Sequence, residues 1–438
     1  MRKTMIFVLA LVLAFSVVAC DRGGDPQSLP DDSAAQTPTP TTAPTQAPTP
    51  EPTPTPEPTP MPEPELPFPG KIAIITSSRQ QSIEEYISAK TLQNKYGRDK
   101  IVHMIWPVNH ATEGEAMTRM LQGLADDPDI KAVVISQAVV NTNAAVSKLL
   151  EARPEIFVAY CQPSENPQDV AGLASLTFGV DELLRGEEIV TLAKAMGAKV
   201  FFHYSHQRHM EVPALTARRD AMRKVAEGNG MLFVEHVFPD FTPDGVPGVQ
   251  ERILEDVKGH VADCGPDTAF FGTNCAMQEP LITKVIEEGA IFPGTCCPSP
   301  YHAFPAALGI DVSVPAGTGM DSGSDASAGN DSLRPSGELV EEIRSVIASR
   351  GATGRLAAEP VSLSMMFTAV GVEYAIKWVN GEVPQEKGFV DHAAIKELCE
   401  SYTNETYGVR LGVGIAPLSL YGSIYNNYLL LVMDSIVF

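Results

Sequence analysis

The sequence predicts an α/β protein of two doubly wound parallel-sheet lobes hinged around a cleft. Three observations predict it. From Lys71 onward, short β-branched apolar runs alternate with amphipathic helical segments, the pattern of a parallel sheet covered by helices on both faces. The alternation runs through two cycles of similar length. The body after Gly70, about 370 residues, is too long for one typical core and suits two.

The first cycle opens with Lys71–Thr76 (KIAIIT), apolar in the way of a strand buried on both faces. Residues 82–96 follow as a helix, with Ile83, Tyr86, Ile87 and Leu92 near helical spacing. Strands at 101–106, 131–136 (KAVVIS) and 156–160 (IFVAY) alternate with helices at 113–125 and 144–151. After 176–181 a second cycle begins. It has helices at 182–196, 215–228, 249–262 and 280–289, and strands at 199–204 (KVFFHY), 231–237 and 268–272 (TAFFG). Gly197 closes the first of those helices.

The amino terminus carries a separate signal. Met1-Arg2-Lys3 is basic, residues 5–19 are almost wholly apolar, and Val17-Val18-Ala19 leads straight into Cys20. That is the layout of a secretory signal, and it is shorter than the roughly 20 apolar residues a membrane-spanning helix needs. With cysteine directly after the small residue, the stretch resembles the lipobox of bacterial lipoproteins. The resemblance implies cleavage of 1–19, lipidation of Cys20 with a diacylglycerol carrying palmitate-type chains, and an extracytoplasmic chain anchored to the cell membrane without spanning it. The competing reading is a plain signal peptide or uncleaved anchor with a chance cysteine. Between Pro26 and Pro69 lie 16 of the 36 prolines, interleaved with Thr and Glu. Such a segment buries nothing apolar and extends as a semi-rigid spacer of about 3.1 Å per residue. Residues 20–69 are therefore expected to be a disordered stalk. A docking tract or a glycosylated stalk are the alternatives.

A net charge of −22, from 54 acidic and 32 basic residues, disfavours a nucleic-acid partner, since no basic patch exists to neutralise phosphates. Six cysteines follow Cys20 (Cys161, Cys264, Cys275, Cys296, Cys297 and Cys399). Their irregular spacing does not specify a disulfide scaffold, and pairing stays open.

Three segments carry a resemblance to type I periplasmic binding proteins. Gly179-Val180-Asp181 precedes a helix containing Gly186, closed by Gly197 before the strand at 199–204. Arg218-Arg219-Asp220 with Ala221 and Met222 is similar to a charged helix of that family. Ala269 to Asn274, then 281–289 and Pro293-Gly294, match its strand ending in a polar pair, its helix and its turn. The resemblance covers about residues 70–380. It implies a first lobe at 70–180, a second at 181–310, and a C-terminal segment at 336–438 that completes the lobes. The chain also resembles a group of bacterial lipoproteins of this fold with no assigned ligand. Where the family usually has a second Asp after Asn274, this chain has Cys275, which removes the grounds for a sugar-hydroxyl contact there. The Gly/Ser/Asp-rich stretch in 311–335 reads as a loop, either at the cleft mouth or on the surface. The tail adds a helix near 393–400 and apolar segments at 409–415 and 428–432, expected to complete a sheet or cover an edge.

Ligands of open parallel sheets bind outside the carboxyl ends of the strands. Reading the residues there gives Ser77, Ser78, Arg79, Gln80, Gln137, Tyr160 and Gln162 in the first lobe. The second offers His206, Arg208, Asn274 and Tyr301, with Asp181 at the crossing. Arg79 or Arg208 would fork onto a carboxylate or phosphate. His203, His206 and His209 form an HxxHxxH run with Cys275, Cys296 and Cys297 downstream. Those residue types suit zinc, yet His203 falls inside a strand and 207–209 reads as loop, so no metal and no cofactor is expected. No G-x-S-x-G, phosphate loop or H-E-x-x-H occurs, so an enzyme is not expected. The expectation is a lipid-anchored binder of a small polar solute that serves an ABC-type permease. The alternatives are a sensing lobe for a membrane signalling partner, or a hydrolase using Cys161, Cys296 or a metal.

Overall fold

Strand β1 (Lys71–Thr76) sends Ile72 and Ile74 into one core and Ala73 and Ile75 into another on the opposite face. That is the behaviour of a central strand in a doubly covered sheet. The computed structural model describes residues 68–238, 245–313 and 332–438. The expected signal segment, Cys20, the stalk up to residue 67 and most of the 311–335 loop lie outside the described residues. Phe68, expected in the stalk, is instead buried in the first lobe's core against Tyr96, because an aromatic ring at the foot of β1 is taken up by the core.

In the first lobe β1 is followed by α1 (Ile83–Tyr96), β2 (Ile101–Ile105), α2 (Gly114–Ala125), β3 (Ile130–Ile135), α3 (Thr142–Ala152), β4 (Phe157–Cys161), α4 (Pro167–Leu173) and β5 (Leu176–Val180). The strands are parallel in the order β2-β1-β3-β4-β5. Helix α4 escapes a periodicity search at seven residues. Its start is fixed by Asn166, whose side chain accepts from the Gln168 and Asp169 amides ahead of Pro167.

The second lobe repeats the plan with α5 (Glu182–Ala195), β6 (Val200–His206), a 3₁₀ turn (Gln207–Glu211), α6 (Pro213–Gly228), β7 (Leu232–Phe238), α7 (Gly245–Cys264), β8 (Thr268–Gly272), α8 (Cys275–Glu288), α9 (Phe304–Leu308), α10 (Ser336–Ser349) and β9 (Ala357–Ala358). Its sheet runs β7-β6-β8 and continues by parallel bridges, Ala269 with Ile291 and Phe292 with Leu356. Helices α5 and α6 pack closely. A Cβ on Gly186 would fall 2.7 Å from Arg218 Cγ, so only glycine fits there.

Helix α8 begins at Cys275, five residues before the start expected at Pro280. A proline inside a helix removes one N–H and leaves the carbonyl four residues earlier unpartnered. Here Gln250 Nε2 donates to the Ala276 carbonyl at 3.3 Å, which satisfies it, and Asn274 caps the true start by accepting from the Ala276 amide.

The tail divides between the lobes. Helices α11 (Leu363–Val379) and α12 (His392–Tyr407) pack in the first lobe on the α1 face. Strand β10 (Val413–Leu420) and β11 (Ser423–Met433) form a hairpin whose β11 pairs parallel with β5, extending the first sheet at that edge. Its two-residue turn holds Tyr421 at φ 51° and Gly422 at φ 81°, both left-handed as a tight hairpin turn requires. Strand β12 (Ile436–Val437) then returns to the second lobe beside β9. The chain therefore crosses between the lobes three times, at Asp181, at 359–362 and at 434–435.

His203 lies within β6, as alternation implied, fully buried between Phe233 and Phe271 with neither ring nitrogen hydrogen-bonded. Burial, with Arg218 and Arg219 next in effect, pushes its pKa down to about 3. The unfolded chain takes up that proton below about pH 6.5 while the native imidazole stays neutral. Native stability is therefore lost as pH falls from there towards 3. His203→Phe should stabilise the fold by about 1 kcal/mol at pH 7, since two orphaned nitrogens disappear. Its advantage over wild type should widen on acidification. Urea melts at pH 7.5 and 5 measure this, and a constant gap would show that His203 is not the titrating group.

Candidate functional site

The three crossings meet at a buried ion pair. Arg185, in the first turn of α5 behind Asp181, donates from Nε to Glu359 Oε1 at 2.7 Å, and both side chains are 2% exposed. Its other nitrogens donate to the carbonyls of Thr295 (2.7 Å) and Cys296 (3.3 Å). The Asp181 amide donates to the Leu431 carbonyl at 2.9 Å, tying the first crossing to β11. Burial, with Asp434, Asp181 and Glu359 nearby, pushes the Glu188 carboxyl up to about 7.

Arg185 thereby fixes the loop after Phe292, and that loop carries a cluster of thiols. Cys275, the first residue of α8, lies at the carboxyl end of β8. Cys296 and Cys297 follow the next strand position, and His302 sits in the turn before α9. The Cys275–Cys297 and Cys275–Cys296 sulfurs are 3.8 Å apart, Cys296–Cys297 3.7 Å, and Cys296 Sγ is 3.4 Å from His302 Nε2. The scaffold under them is specific. Buried Gln278 accepts from the Cys296 amide (3.2 Å) and donates to the Gly272 and Asn274 carbonyls (both 2.9 Å), joining the two cysteine-bearing loops. Thr295 Oγ1 donates to the Cys297 carbonyl at 2.6 Å. His302 is aimed by a γ-turn: Ala303 has φ 64°, ψ −33°, and the Phe304 amide donates to the His302 carbonyl at 2.8 Å. This is a strained form for a non-glycine residue. Hydrogen bonds from Cys296, Cys297 and His302 hold the Cys275 thiol well below its usual range. Hydrogen bonding to Cys275 in turn pushes Cys296 and Cys297 up.

The other candidate residues are distributed along the strand ends. Ser77 donates to Gln137 Oε1 at 3.0 Å, so these two meet at the ends of β1 and β3. Ser78 Oγ donates to Gln81 Oε1 at 3.0 Å, Arg79 is half-buried in the same turn, and Gln80 is exposed. Gln162, at φ 47°, follows β4, and its amide is held by the Phe178 carbonyl. Asp181 caps α5 by accepting from the Leu184 amide. His206 is buried at the end of β6 edge-on to His209, and Arg208 is exposed in the 3₁₀ turn. The Asn274 side chain caps α8. Tyr301 donates to the Arg334 carbonyl at 2.5 Å and lines a cavity of about 400 Å³ with Lys95, Glu373 and Tyr402. Tyr160 is a correction: β4 runs one residue further than read, and alternation turns Tyr160 into the α2–α3 core, fully buried. His203, His206 and His209 do not gather around the cysteines. The histidine that does is His302, which was not singled out.

The lobes touch at this site. Ser299 Oγ donates to Glu84 Oε2 in the first turn of α1 at 2.9 Å, and the Leu363 amide donates to the Pro298 carbonyl at 3.1 Å. A second group, His236, Asp256 and His260, lies on β7 and α7. Its rings are engaged in packing, His260 on Phe202 at 4.1 Å and His236 on Phe238 at 4.4 Å.

Residues 70–322 match the model of a family described as "Protein of unknown function (DUF3798)". The chain belongs to this family. All four residues of the thiol–imidazole cluster fall inside the matched span. A protein of Treponema pallidum (strain Nichols), described as "Uncharacterized protein", is 32% identical over 176 residues, covering 39% of this chain and 80% of its own. The crystal structure of a "Putative transcriptional regulator" from Clostridium difficile 630 superposes with a TM-score of 0.71 at 21% identity, over 85% of this chain and 99% of its own. An ABC transporter periplasmic solute binding protein from Actinobacillus succinogenes 130z with bound D-allose aligns over 75% of this chain and 99% of its own. Its TM-score is 0.43 at 15% identity, too loose a likeness to carry a ligand across. With two sheets of one strand order and three crossings, this member of the family has the type I periplasmic-binding-protein fold.

The hinge pair makes a sharp expectation. Arg185→Ala should destabilise the chain by about 3–5 kcal/mol, because Glu359 is left buried and uncompensated. Arg185→Met combined with Glu359→Met should recover part of that loss but stay below wild type, since the Thr295 and Cys296 carbonyls remain unpartnered. Urea unfolding of the three proteins decides it. A loss under about 1 kcal/mol for Arg185→Ala would mean that water reaches and solvates the hinge.

Proposed function

We propose that this chain is a membrane-anchored, extracytoplasmic solute-binding lipoprotein that captures a small polar molecule between its lobes and delivers it to an ABC-type permease. The carrying observation is the triple crossing at one buried hinge, with the lobes in contact where Ser299, in the loop after Phe292, bonds Glu84 in the first turn of α1. Two lobes joined this way close on a ligand as rigid bodies, and closure is the signal a permease reads. Polar strand-end groups, Ser77 with Gln137 in the first lobe and Arg79 beside them, support a hydrogen-bonding solute. The lipobox-like run ending at Cys20 and the proline-rich spacer support a tether, and no described helix is long and apolar enough to cross a membrane. No nucleophile elbow or phosphate loop competes with this reading, and Cys161, one of the two cysteines in the hydrolase alternative, is fully buried in β4 with its thiol pushed up by burial.

A thermal-shift screen of nucleosides, sugars, amino acids and cofactors tests capture. A ligand at 100 times its Kd should add about 2.7 kcal/mol of stability, and a screen with no shift in any class removes the basis for the proposal. With the ligand identified, Arg79→Ala should weaken binding by about 1.5–3 kcal/mol with little loss of stability in the unliganded fold. Unchanged affinity would take Arg79 out of the site.

Anchoring has its own test. Cys20→Ser should abolish fatty-acid labelling and move the protein from the membrane to the soluble fraction. A variant that stays labelled and membrane-bound would refute lipidation at Cys20.

A further inference from the structure

We infer that Cys275, Cys296, Cys297 and His302 form a binding site for one thiophilic metal ion of the Zn²⁺ class. The inference stands on its own and does not rest on solute capture. Tetrahedral zinc has Zn–S bonds of about 2.3 Å and Zn–N bonds of about 2.0–2.1 Å. A tetrahedron with such bonds has sulfur–sulfur edges of about 3.8 Å and sulfur–nitrogen edges of about 3.6 Å. The three sulfur–sulfur distances are 3.8, 3.8 and 3.7 Å, and Cys296 Sγ lies 3.4 Å from His302 Nε2. All four donor atoms lie within 4.8 Å of one another. Three thiols at equal mutual spacing do not form the pattern of a disulfide, which brings two sulfurs to about 2.05 Å and leaves a third aside.

The surroundings hold the donors in place, as outer partners of metal ligands do. Arg185 fixes the Thr295 and Cys296 carbonyls, Gln278 links the Cys296 amide to the loop of Cys275, and the γ-turn at Ala303 aims His302. Three thiolates and one imidazole select zinc, cadmium or copper(I) over magnesium and calcium, which prefer oxygen. Loading exchanges thiol protons for the metal, one released from each cysteine that is protonated beforehand. Cys275 and Cys297 are exposed, so an ion can reach the site from solvent. The site lies at the carboxyl ends of β8 and the following strand, on the side of the lobe where Ser299 meets Glu84 of the first lobe.

The test uses the full chain, reduced and freed of reductant under argon, with Zn²⁺ alone as probe. Elemental analysis after dialysis should give one zinc per chain, and Co²⁺ in its place should show the intense visible bands of tetrahedral thiolate coordination. Cys275→Ser, Cys297→Ser and His302→Ala should each weaken binding at least about tenfold. Alkylation by N-ethylmaleimide covers the case in which a variant fails to fold. In the wild-type chain Zn²⁺ should slow labelling of Cys275 and Cys297 at least about tenfold while exposed Cys264 labels at the same rate. No stoichiometric uptake by the folded, reduced chain would overturn the inference. So would equal labelling with and without zinc, or a disulfide joining two of the three cysteines in protein isolated from its own compartment. Failure of zinc binding leaves a solute-dependent thermal shift intact, and failure of that shift leaves zinc uptake intact, so the two readings fail separately.

Discussion

The buried pair of Arg185 and Glu359 is the constraint on which the rest of the structure depends. Two charges removed from water need partners to be stable. The guanidinium holds Glu359 Oε1 and uses its remaining donors on the carbonyls of Thr295 and Cys296, while Glu359 Oε2 is buried without a hydrogen-bond partner. One side chain thus fixes the first crossing, the second crossing and the loop that carries two of the cysteines. The third crossing is held beside them by the Asp181–Leu431 backbone bond. All three connections between the lobes are thus held at one hydrogen-bonded centre.

That centre also explains why the thiol cluster is ordered. Cys275 follows β8 and the Cys296–Cys297 pair follows the neighbouring strand position, so the parallel sheet brings both to the same edge. Gln278, one turn into α8, spans the gap. Had Pro280 begun the helix, neither Cys275 nor Gln278 would sit on it. The Asn274 cap and the Gln250 bond to Ala276 therefore bear on the site as much as on the helix. A metal held there would lie on the side of the lobe where Ser299 meets Glu84 in the first turn of α1.

Parts of the site were legible from residue order alone. Ser77 and Gln137 follow strands whose ends are unambiguous, and the structure brings them together. Tyr160 was misplaced because β4 continues through Cys161, which leaves Tyr160 inside the strand with its side chain in the α2–α3 core rather than at the carboxyl end. Cys275 stood out as a departure from the family pattern, but its meaning did not. The four clustered residues are 21, 1 and 5 positions apart, so no short window of the chain holds them together, and His302 lies in a loop with no periodicity to mark it. The HxxHxxH run had the more suggestive spacing and is spread between a buried strand and a turn.

What the sequence by itself determined is the alternation. Short continuous apolar runs and 3.6-residue helical periods are local properties, and they were enough for two doubly wound lobes and most element positions. Only the tertiary structure decided where the tail belongs. Val413–Leu420 and Ser423–Met433 could have covered either lobe, and β11 pairs with β5, where Leu429 and Leu431 enter the first lobe's core. Tertiary structure also decided that three cysteines and a histidine from two separate segments, the start of α8 and the connection between Phe292 and α9, converge. Convergence of that kind depends on the return path of α8 and on one buried arginine binding distant carbonyls, and neither is written in any short window of the chain.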